Sequence, residues 1–203
     1  MYFKQHPTFV YDFKYNVRTN EVKTSIVKDI TRNVRFRKEI LENVTAYDYY
    51  DVQDGETPEI IADKYYNDSY RYWLVTMVNN ILDPQWGWPL SGKNFEDYIS
   101  EKYTDVNPYN TVHHYEKVIT QYESGTQTTT VNRIEIDEDT YNNLVESTHS
   151  YTFSSGTTAV SVTKNSVTLY QYEYDLNESK RNIKLLKKEF ANQIEQNLID
   201  LMK

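Results

Sequence analysis

Cysteine is absent from this 203-residue chain, which excludes a disulfide scaffold, a thiolate nucleophile and a cysteine zinc site. Long apolar runs are missing too, since no stretch approaches the roughly 18 consecutive apolar residues that a membrane-spanning helix needs. The first residues, Met1–Pro7, lack the basic-then-apolar pattern of a signal peptide. We therefore expect a protein that is made in a cytoplasm and is used there, or in something assembled there.

Glycine and proline are scarce, with five residues of each. The chain has neither a phosphate-cradling glycine loop nor a Gly-x-Ser-x-Gly nucleophile elbow. A basic excess is also missing, because 22 Lys and Arg residues stand against 30 Asp and Glu residues, for a net charge of -8. Proteins that bind nucleic acids usually show such an excess. The composition thus argues against a nucleic-acid partner.

Tyrosine is abundant, with 20 residues, and aromatic residues make up 15% of the chain. Disordered chains are poor in aromatic residues, so this composition favours a folded protein despite a mean hydropathy of -0.78. Tyrosine joins a large apolar ring to a polar tip and is enriched at protein interfaces. It serves equally well as a core residue of β structure, and both interpretations stay open.

Charge is unevenly distributed along the chain. Residues 1–40 carry nine basic and four acidic side chains, a net of +5. Residues 41–110 carry four and thirteen, a net of -9, and residues 111–203 carry nine and thirteen, a net of -4. A basic segment followed by an acidic domain is typical of an assembly component with complementary faces. The alternative is ordinary solvated charge on helices and strands.

The amino-terminal segment, residues 1–43, is predicted to form an extended, strand-rich arm. Within it, Tyr11–Val17 alternates large apolar with polar residues, which indicates a strand. Residues 29–41 fit a helix or a strand equally well, and their structure stays open.

The segment of residues 44–110 carries the most local information. Its start, Val44–Val52, is rich in β-branched and aromatic residues and predicts a strand. After a turn at Gln53–Glu56, Thr57 is typical of a helix N-cap and Pro58 of the first helical position. Further helices are predicted over Tyr70–Asn80 and Phe95–Tyr103.

This order of strand, turn, helix, break and helix resembles a LysM module, a fold that binds N-acetylglucosamine polymers such as peptidoglycan. The turn residues that carry the resemblance are Asp54, Gly55, Glu56, Thr57 and Pro58. A LysM-type glycan-binding module is therefore one functional hypothesis. A wall-degrading hydrolase with its own LysM module is another, but no catalytic motif supports it.

A fuller pattern consists of features that lie in order and far apart: Tyr50–Glu59, Tyr72-Trp73, Asn79, Asp83-Pro84, Trp88–Leu90, Lys102-Tyr103 and Tyr174–Ile183. This pattern resembles the LysM-like baseplate wedge proteins of contractile-tailed, T4-like bacteriophages. The resemblance implies a structural virion protein of the tail baseplate, assembled in the host cytoplasm, and not an enzyme. Its implied partners are the wedge core bundle, the adjacent wedge and the sheath initiator. It implies no cofactor, no membrane and no small-molecule substrate.

Residues 111–175 look inserted between the two regions of resemblance and are predicted to form a small antiparallel β-subdomain. Its predicted turns lie at Glu123–Gly125, Ser154–Gly156 and Lys164-Asn165, with a last strand over Ser166–Tyr174. A short helix is expected after Asp137, whose carboxylate suits a helix start.

Residues 176–203 are predicted to form one amphipathic helix, because apolar residues from Ile183 to Leu201 recur at three- and four-residue steps. The helix packs either on the core of the chain itself or on a partner. The expected fold class is thus α+β: an extended arm, a LysM-like strand-helix-helix module, a β-subdomain and a carboxyl-terminal helix.

The candidate interface residues are mostly aromatic or apolar: Tyr70, Tyr72, Trp86, Trp88, Phe190, Ile194 and Leu198. Trp86 and Trp88 fit a sugar platform, an interface or a local core, whereas Trp73 fits the inward face of its helix. His113 and His114 are adjacent, so in a regular strand they point to opposite faces and cannot share one metal ion. No metal site is therefore expected.

Overall fold

A computed structural model describes residues 6–16, 21–31, 44–154 and 156–202. The fold is mixed α and β, and it divides into two compact units. The first unit comprises residues 1–91 and 179–203, and the second comprises residues 92–178. The domain boundaries given above stay predictions.

An antiparallel hairpin opens the described chain, formed by β1 (Thr8–Asn16) and β2 (Glu21–Lys28). Phe9 lies opposite Val27, and Tyr11 lies opposite Ser25. The strand predicted from the alternation after Tyr11 is confirmed over the described residues. Most of the segment left open at residues 29–41 lies outside the described residues.

The strand β3 (Tyr47–Asp51) follows a single 3-10 turn, so the predicted strand is confirmed but begins later. Helix α1 (Pro58–Tyr66) begins as predicted, because the hydroxyl of Thr57 accepts a hydrogen bond from the N–H of Ile60. The helix ends at Asn67, which takes the left-handed conformation with a φ of 56°.

The predicted second helix is divided. A 3-10 turn over Ser69–Arg71 precedes α2 (Tyr72–Val78), and the turn is capped by the carboxylate of Asp68. Asn79 ends α2, since its side-chain amide donates to the carbonyl oxygens of Val75 and Lys184, both at 2.8 Å. The short helix α3 (Pro84–Gly87) comes next, where a loop was expected.

The single helix predicted over residues 176–203 is wrong. Residues 182–186 form a strand, and the helix α7 (Lys188–Met202) begins only after it. This strand, β8 (Asn182–Leu186), pairs antiparallel with β3, placing Tyr47 opposite Leu186. Without it, the backbone groups of β3 have no ladder partner, and the pairing satisfies them at the centre of the unit.

The core of the first unit lies between the β3–β8 sheet and the helices α1, α2 and α7. Leu74 and Val75 of α2 are fully buried there, together with Ile61 of α1 and Leu185 and Leu186 of β8. Full burial of one such side chain stabilises the fold by about 1.5–3 kcal/mol. Trp73 belongs to this core, as its helical position predicts.

The second unit is built on a four-stranded antiparallel sheet in the order β5-β4-β7-β6. Its elements are α4 (Gly92–Lys102), β4 (Val112–Glu123), β5 (Thr128–Ile136), α5 (Glu138–Asn143), β6 (Ser147–Phe153), β7 (Gly156–Thr168) and α6 (Leu169–Ser179). The predicted helices at α4 and α5 are confirmed, and α5 is capped by Asp137.

Two predictions in this unit are wrong. The turn expected at Lys164-Asn165 is absent from the described chain, because β7 runs straight through it and Asn165 donates to the carboxylate of Glu116 on β4. The strand expected over residues 166–174 ends at Thr168. There the Thr168 hydroxyl accepts a hydrogen bond from the N–H of Gln171 and starts α6.

Helices α4 and α6 of the second unit are joined by an aromatic and ionic cluster. The ring of Phe95 contacts the rings of Tyr170 and Tyr174 edge-on. The buried carboxylate of Glu173 accepts hydrogen bonds from Lys102 at 2.6 Å and from the hydroxyl of Tyr103 at 2.9 Å. Among the helices that the structure describes, none has the length and apolarity to cross a membrane.

Candidate protein interface

The turn that resembles a LysM motif is stabilised by hydrogen bonds from other residues of the first unit. Glu56 is buried, and its carboxylate accepts hydrogen bonds from the hydroxyl of Tyr50, the N–H of Gln53 and the ammonium of Lys64. Burial alone raises the pKa of Glu56, but the bonds from Lys64, Gln53 and Tyr50 outweigh it and hold that pKa below its usual range. Gly55 takes a φ of +78°, a conformation that glycine adopts without strain.

Trp88 lies behind this turn, in the core. Its side chain is 8% exposed, and its indole N–H donates to the carbonyl oxygen of Glu56 at 2.7 Å. On the other side, the guanidinium of Arg181 donates to the carbonyl of Val52 and lies 3.6 Å from the carboxylate of Asp54. These polar groups of the turn are engaged by the chain itself, so the geometry offers no support for a sugar-binding function.

Three of the candidate interface residues are exposed. Tyr70 and Trp86 are each 58% exposed, and Phe190 is 39% exposed. Trp86 lies on the short helix α3, where its backbone carbonyl accepts a hydrogen bond from Lys180. This places a large aromatic side chain on the surface of the first unit, at a fixed backbone position.

The other candidates are held by the core. Trp88 and Leu198 are buried, while Tyr72 and Ile194 are half-buried and pack against the core cluster. Leu198 is only 3% exposed, because that face of α7 lies against the core. These four residues support the fold, and the exposed candidates are Tyr70, Trp86 and Phe190.

Helix α7 packs on the core of its own unit, which answers the question that its sequence leaves open. Ala191 and Leu198 face the core, and the guanidinium of Arg71 contacts Asn192 at 2.6 Å and Glu195 at 3.1 Å. The opposite face stays in solvent, where Phe190 is exposed. One helix thus both completes the core and presents an aromatic side chain.

The hairpin carries exposed apolar residues that are not among the interface candidates predicted from the sequence. Phe9, Tyr11 and Phe13 lie on one face of β1 and are 43–49% exposed, with neighbouring rings in edge contact. On the other face, Val10 and Ile26 lie opposite each other and are exposed as well. The signal was present in the sequence, because a half-buried strand keeps its apolar residues on one face, whereas β1 has them on both.

The argument from alternation about His113 and His114 is wrong. The register between β4 and β7 shifts between Val112 and His114, and this irregularity brings the two Nδ1 atoms to 2.8 Å. The ring of His113 stacks on Tyr172 at 3.8 Å. Across the part of the chain that the structure describes, no three His, Cys, Asp or Glu side chains are grouped to hold a metal ion.

A groove in the second unit is lined by side chains that form hydrogen bonds with one another. It has a volume of about 550 Å³ and is lined by residues that include Glu96, Tyr103 and Tyr109. The carboxylate of Glu96 accepts hydrogen bonds from the hydroxyls of Tyr109 at 2.9 Å and Tyr170 at 2.8 Å. Its charge thus holds two tyrosines in place, which is a structural function.

Comparison with known proteins relates the whole described chain to one family. The sequence model of a family described as base plate wedge protein 53 matches residues 7–203. The chain is also similar to the baseplate wedge protein gp53 of Enterobacteria phage T4, with 28% identity over 110 residues. That alignment covers 53% of this chain and 56% of the relative, so the chain spans about half the length of the curated relative that it matches.

Proposed function

The chain belongs to the base plate wedge protein 53 family, and we propose that it joins the core of a phage tail baseplate wedge and links neighbouring wedges through protein–protein contacts. Membership in this family makes it a structural component of the tail baseplate and not an enzyme. The proposal therefore concerns surfaces and the partners that cover them.

The observation that carries the proposal is the extent of the family match. It runs from residue 7 to residue 203 and so includes the hairpin and both compact units. A match to one module alone would fit many functions, because a fold does not by itself imply a function. A match over the hairpin and both units supports one role for the chain as a whole.

The exposed aromatic residues of the first unit support a function in protein contacts. Tyrosine and tryptophan are enriched among the residues that dominate the energy of protein interfaces. Tyr70 and Trp86 lie on short helical turns capped by Asp68 and Asp83, and Phe190 lies on α7. Such side chains lose little conformational entropy when a partner covers them, which favours binding.

The LysM-like character of the first unit is part of the proposal. The strand β3, the helices α1 and α2 and the strand β8 give the order strand, helix, helix, strand around one antiparallel pair. The last strand comes from far downstream, after the whole second unit in the sequence. We propose that this module is a protein-docking scaffold, since its LysM-like turn is engaged by Lys64, Trp88 and Arg181.

We propose the wedge core bundle, the adjacent wedge and the sheath initiator as the partners. The uneven charge supports more than one contact surface, because residues 1–40 carry a net charge of +5 and residues 41–110 a net charge of -9. Complementary charges at different surfaces direct different partners to different places.

Co-expression with the other wedge proteins of the same phage tests the proposal. We expect the tagged chain to purify in a complex of fixed stoichiometry with wedge core proteins. Replacing Trp86 by Ala is expected to weaken that complex at least about tenfold, which corresponds to about 1.4 kcal/mol. Gln85→Ala is the matched control, because Gln85 is exposed on the same short helix. Recovery of the chain alone, in folded form, would contradict the proposal.

A further inference from the structure

The two edge strands of the four-stranded sheet differ in how they are protected. The strand β5 carries Arg133 and Glu135, and such charges on an edge strand oppose pairing with another chain. The strand β6, with the sequence STHSYTF, has no Lys, Arg, Asp, Glu or Pro. It also stays in regular register with β7 from Ser147 to Phe153, without a bulge that would turn the edge away.

The strand β6 is open to solvent over nearly its whole length. Six of its seven residues are exposed, including Tyr151 at 53% and Phe153 at 59%. In the described parts of the chain, β6 has a strand partner on one side alone, which is β7. An exposed, uncharged strand edge of this kind is a ready template for one more strand.

The hairpin of β1 and β2 also has an open strand edge, which could pair with an edge such as that of β6. A two-stranded hairpin is marginally stable in water without further packing. Its strand β2 carries Glu21, Lys23 and Lys28, and β1 carries Asp12 and Lys14. The carboxylate of Asp12 accepts a hydrogen bond from Thr24 across the hairpin. Among the described strands β1 pairs with β2 alone, and the first four residues of its other edge, Thr8–Tyr11, carry no charge.

The side chains of the two open strands also match. Phe9, Tyr11 and Phe13 recur every second residue on β1, and Tyr151 and Phe153 do so on β6. Aromatic residues on adjacent strands stabilise a sheet by packing across the strands. If β1 and β6 pair, these five rings can form one continuous aromatic surface.

Charge favours a contact between these parts of neighbouring molecules. Residues 1–40 carry a net charge of +5, and the second unit carries five basic and fourteen acidic side chains, a net of -9. Opposite charges speed association and select the correct partner. A second copy of the same chain supplies both a basic amino-terminal segment, which includes the hairpin, and an acidic second unit.

We propose that copies of this chain associate head to tail, with β1 of one copy adding as a fifth strand beside β6 of the next. Contacts between two different surfaces of identical chains generate rings when the rotation closes. The inference rests on the proposed function and deepens it, because it supplies one physical link between neighbouring wedges.

Sedimentation velocity of the full-length chain, over a concentration series at low and high salt, tests the proposal. We expect oligomers larger than a dimer that dissociate on dilution and on addition of salt. The variants Tyr11→Lys and Ser150→Lys are each expected to raise the dissociation constant at least about tenfold. Ile26→Lys and Thr130→Lys are the controls, because they add the same charge to the other strand of the hairpin and to the other sheet edge.

A mixture of the two variants identifies the head-to-tail arrangement. Each variant keeps one of the two complementary surfaces, so an equimolar mixture of Tyr11→Lys and Ser150→Lys is expected to stop at a dimer. A wild-type chain that stays monomeric up to its solubility limit would overturn the proposal. So would a Tyr11→Lys variant that self-associates as tightly as the wild-type chain, since that result means that β1 is not part of the contact.

Amide hydrogen exchange of the wild-type chain gives a second test that does not depend on variants. We expect protection of β1 and β6 to rise with protein concentration, while β2 and β5 stay unchanged. Equal behaviour of the four strands would contradict the inference. Purification of Ser150→Lys with the wedge core proteins separates the two proposals: retained binding supports the proposed function whatever the oligomeric state, and a folded wild-type chain that binds no wedge protein refutes that function.

Discussion

The indole N–H of Trp88 donates a hydrogen bond to the backbone oxygen of Glu56 at 2.7 Å, and both residues are buried. The bond ties the segment after α3 to the turn before α1. Because Trp88 is also only 8% exposed, its ring offers little surface on which a ligand could stack, and the geometry does not support a sugar platform there.

Replacing Trp88 by Phe is expected to destabilise the first unit by about 1–3 kcal/mol, since the buried carbonyl of Glu56 then loses its partner. Urea denaturation followed by circular dichroism measures the loss. The control is Tyr70→Phe, which removes an exposed hydroxyl of the same unit and should change the free energy of unfolding by less than about 0.5 kcal/mol. Equal effects of the two substitutions would contradict the assignment of Trp88 to the core.

Glu56→Gln is expected to lower stability by about 1–3 kcal/mol at neutral pH, because it removes charge-assisted hydrogen bonds from Lys64 and the Gln53 N–H. The folded pKa of Glu56 is lowered, so its contribution is present above the unfolded value of about 4.3. It is lost as the pH falls from there through the folded pKa.

The difference in unfolding free energy between wild type and Glu56→Gln should therefore shrink on acidification. Denaturation at a series of pH values from neutral to acidic measures it. Glu59→Gln is the control, because Glu59 is exposed in the first turn of the same helix. A difference that stays constant from pH 7 to strongly acidic conditions would contradict the account of Glu56.

Lys102→Met is expected to destabilise the second unit by about 1–3 kcal/mol, because the buried carboxylate of Glu173 then loses its cationic partner. The loss should be seen as faster hydrogen exchange in α4 and α6, the two helices that this pair joins. Lys93→Met, at an exposed position at the start of α4, is the control and should leave that exchange unchanged. Unchanged exchange in Lys102→Met would mean that the pair contributes little.

Titration with soluble N-acetylglucosamine oligomers is expected to leave tryptophan fluorescence unchanged. Trp86 is 58% exposed and reports on any ligand that stacks on this surface, while Trp88 reports on any change of the LysM-like turn. A saturable shift in a folded sample would show that the turn opens to a glycan. That result would favour the alternative hypothesis, a LysM-type glycan-binding module, which the geometry does not support.

Local sequence signals predicted local structure well. Thr57 followed by Pro58 predicted the start of α1, and the alternation after Tyr11 predicted β1, because caps and strand periods depend on neighbours in sequence. The turn at Gln53–Glu56 was also placed correctly. Its internal partners were not predicted, because Trp88 and Arg181 come from other elements.

Non-local pairing explains most of the errors. Residues 182–186 show a helical spacing of apolar residues, yet they form a strand because β3, far earlier in the chain, needs a partner. Lys164 and Asn165 have the composition of a turn, yet they continue β7 because β4 offers ladder bonds and the carboxylate of Glu116. A propensity is a weak prior when tertiary contacts supply such partners.

The candidate interface residues divide into exposed ones and buried or half-buried ones, and their residue types alone do not show which is which. Trp86 and Trp88 differ by two positions, but one lies in solvent and the other in the core. Which of two nearby aromatic residues turns inward depends on the position of α3 against the rest of the unit. The exposed hairpin was missed because the sequence predicted one strand in an extended arm, and no interface candidate was sought there.

Reconstitution of wedge assembly from purified components is the most direct test of the central claim. Wedge core proteins would be mixed with and without this chain, and the products would be sized by sedimentation and imaged by electron microscopy. We expect wedges to join into closed rings only when the chain is present, and we expect Trp86→Ala to reduce the yield while Gln85→Ala does not. Rings that close equally well without the chain would contradict it.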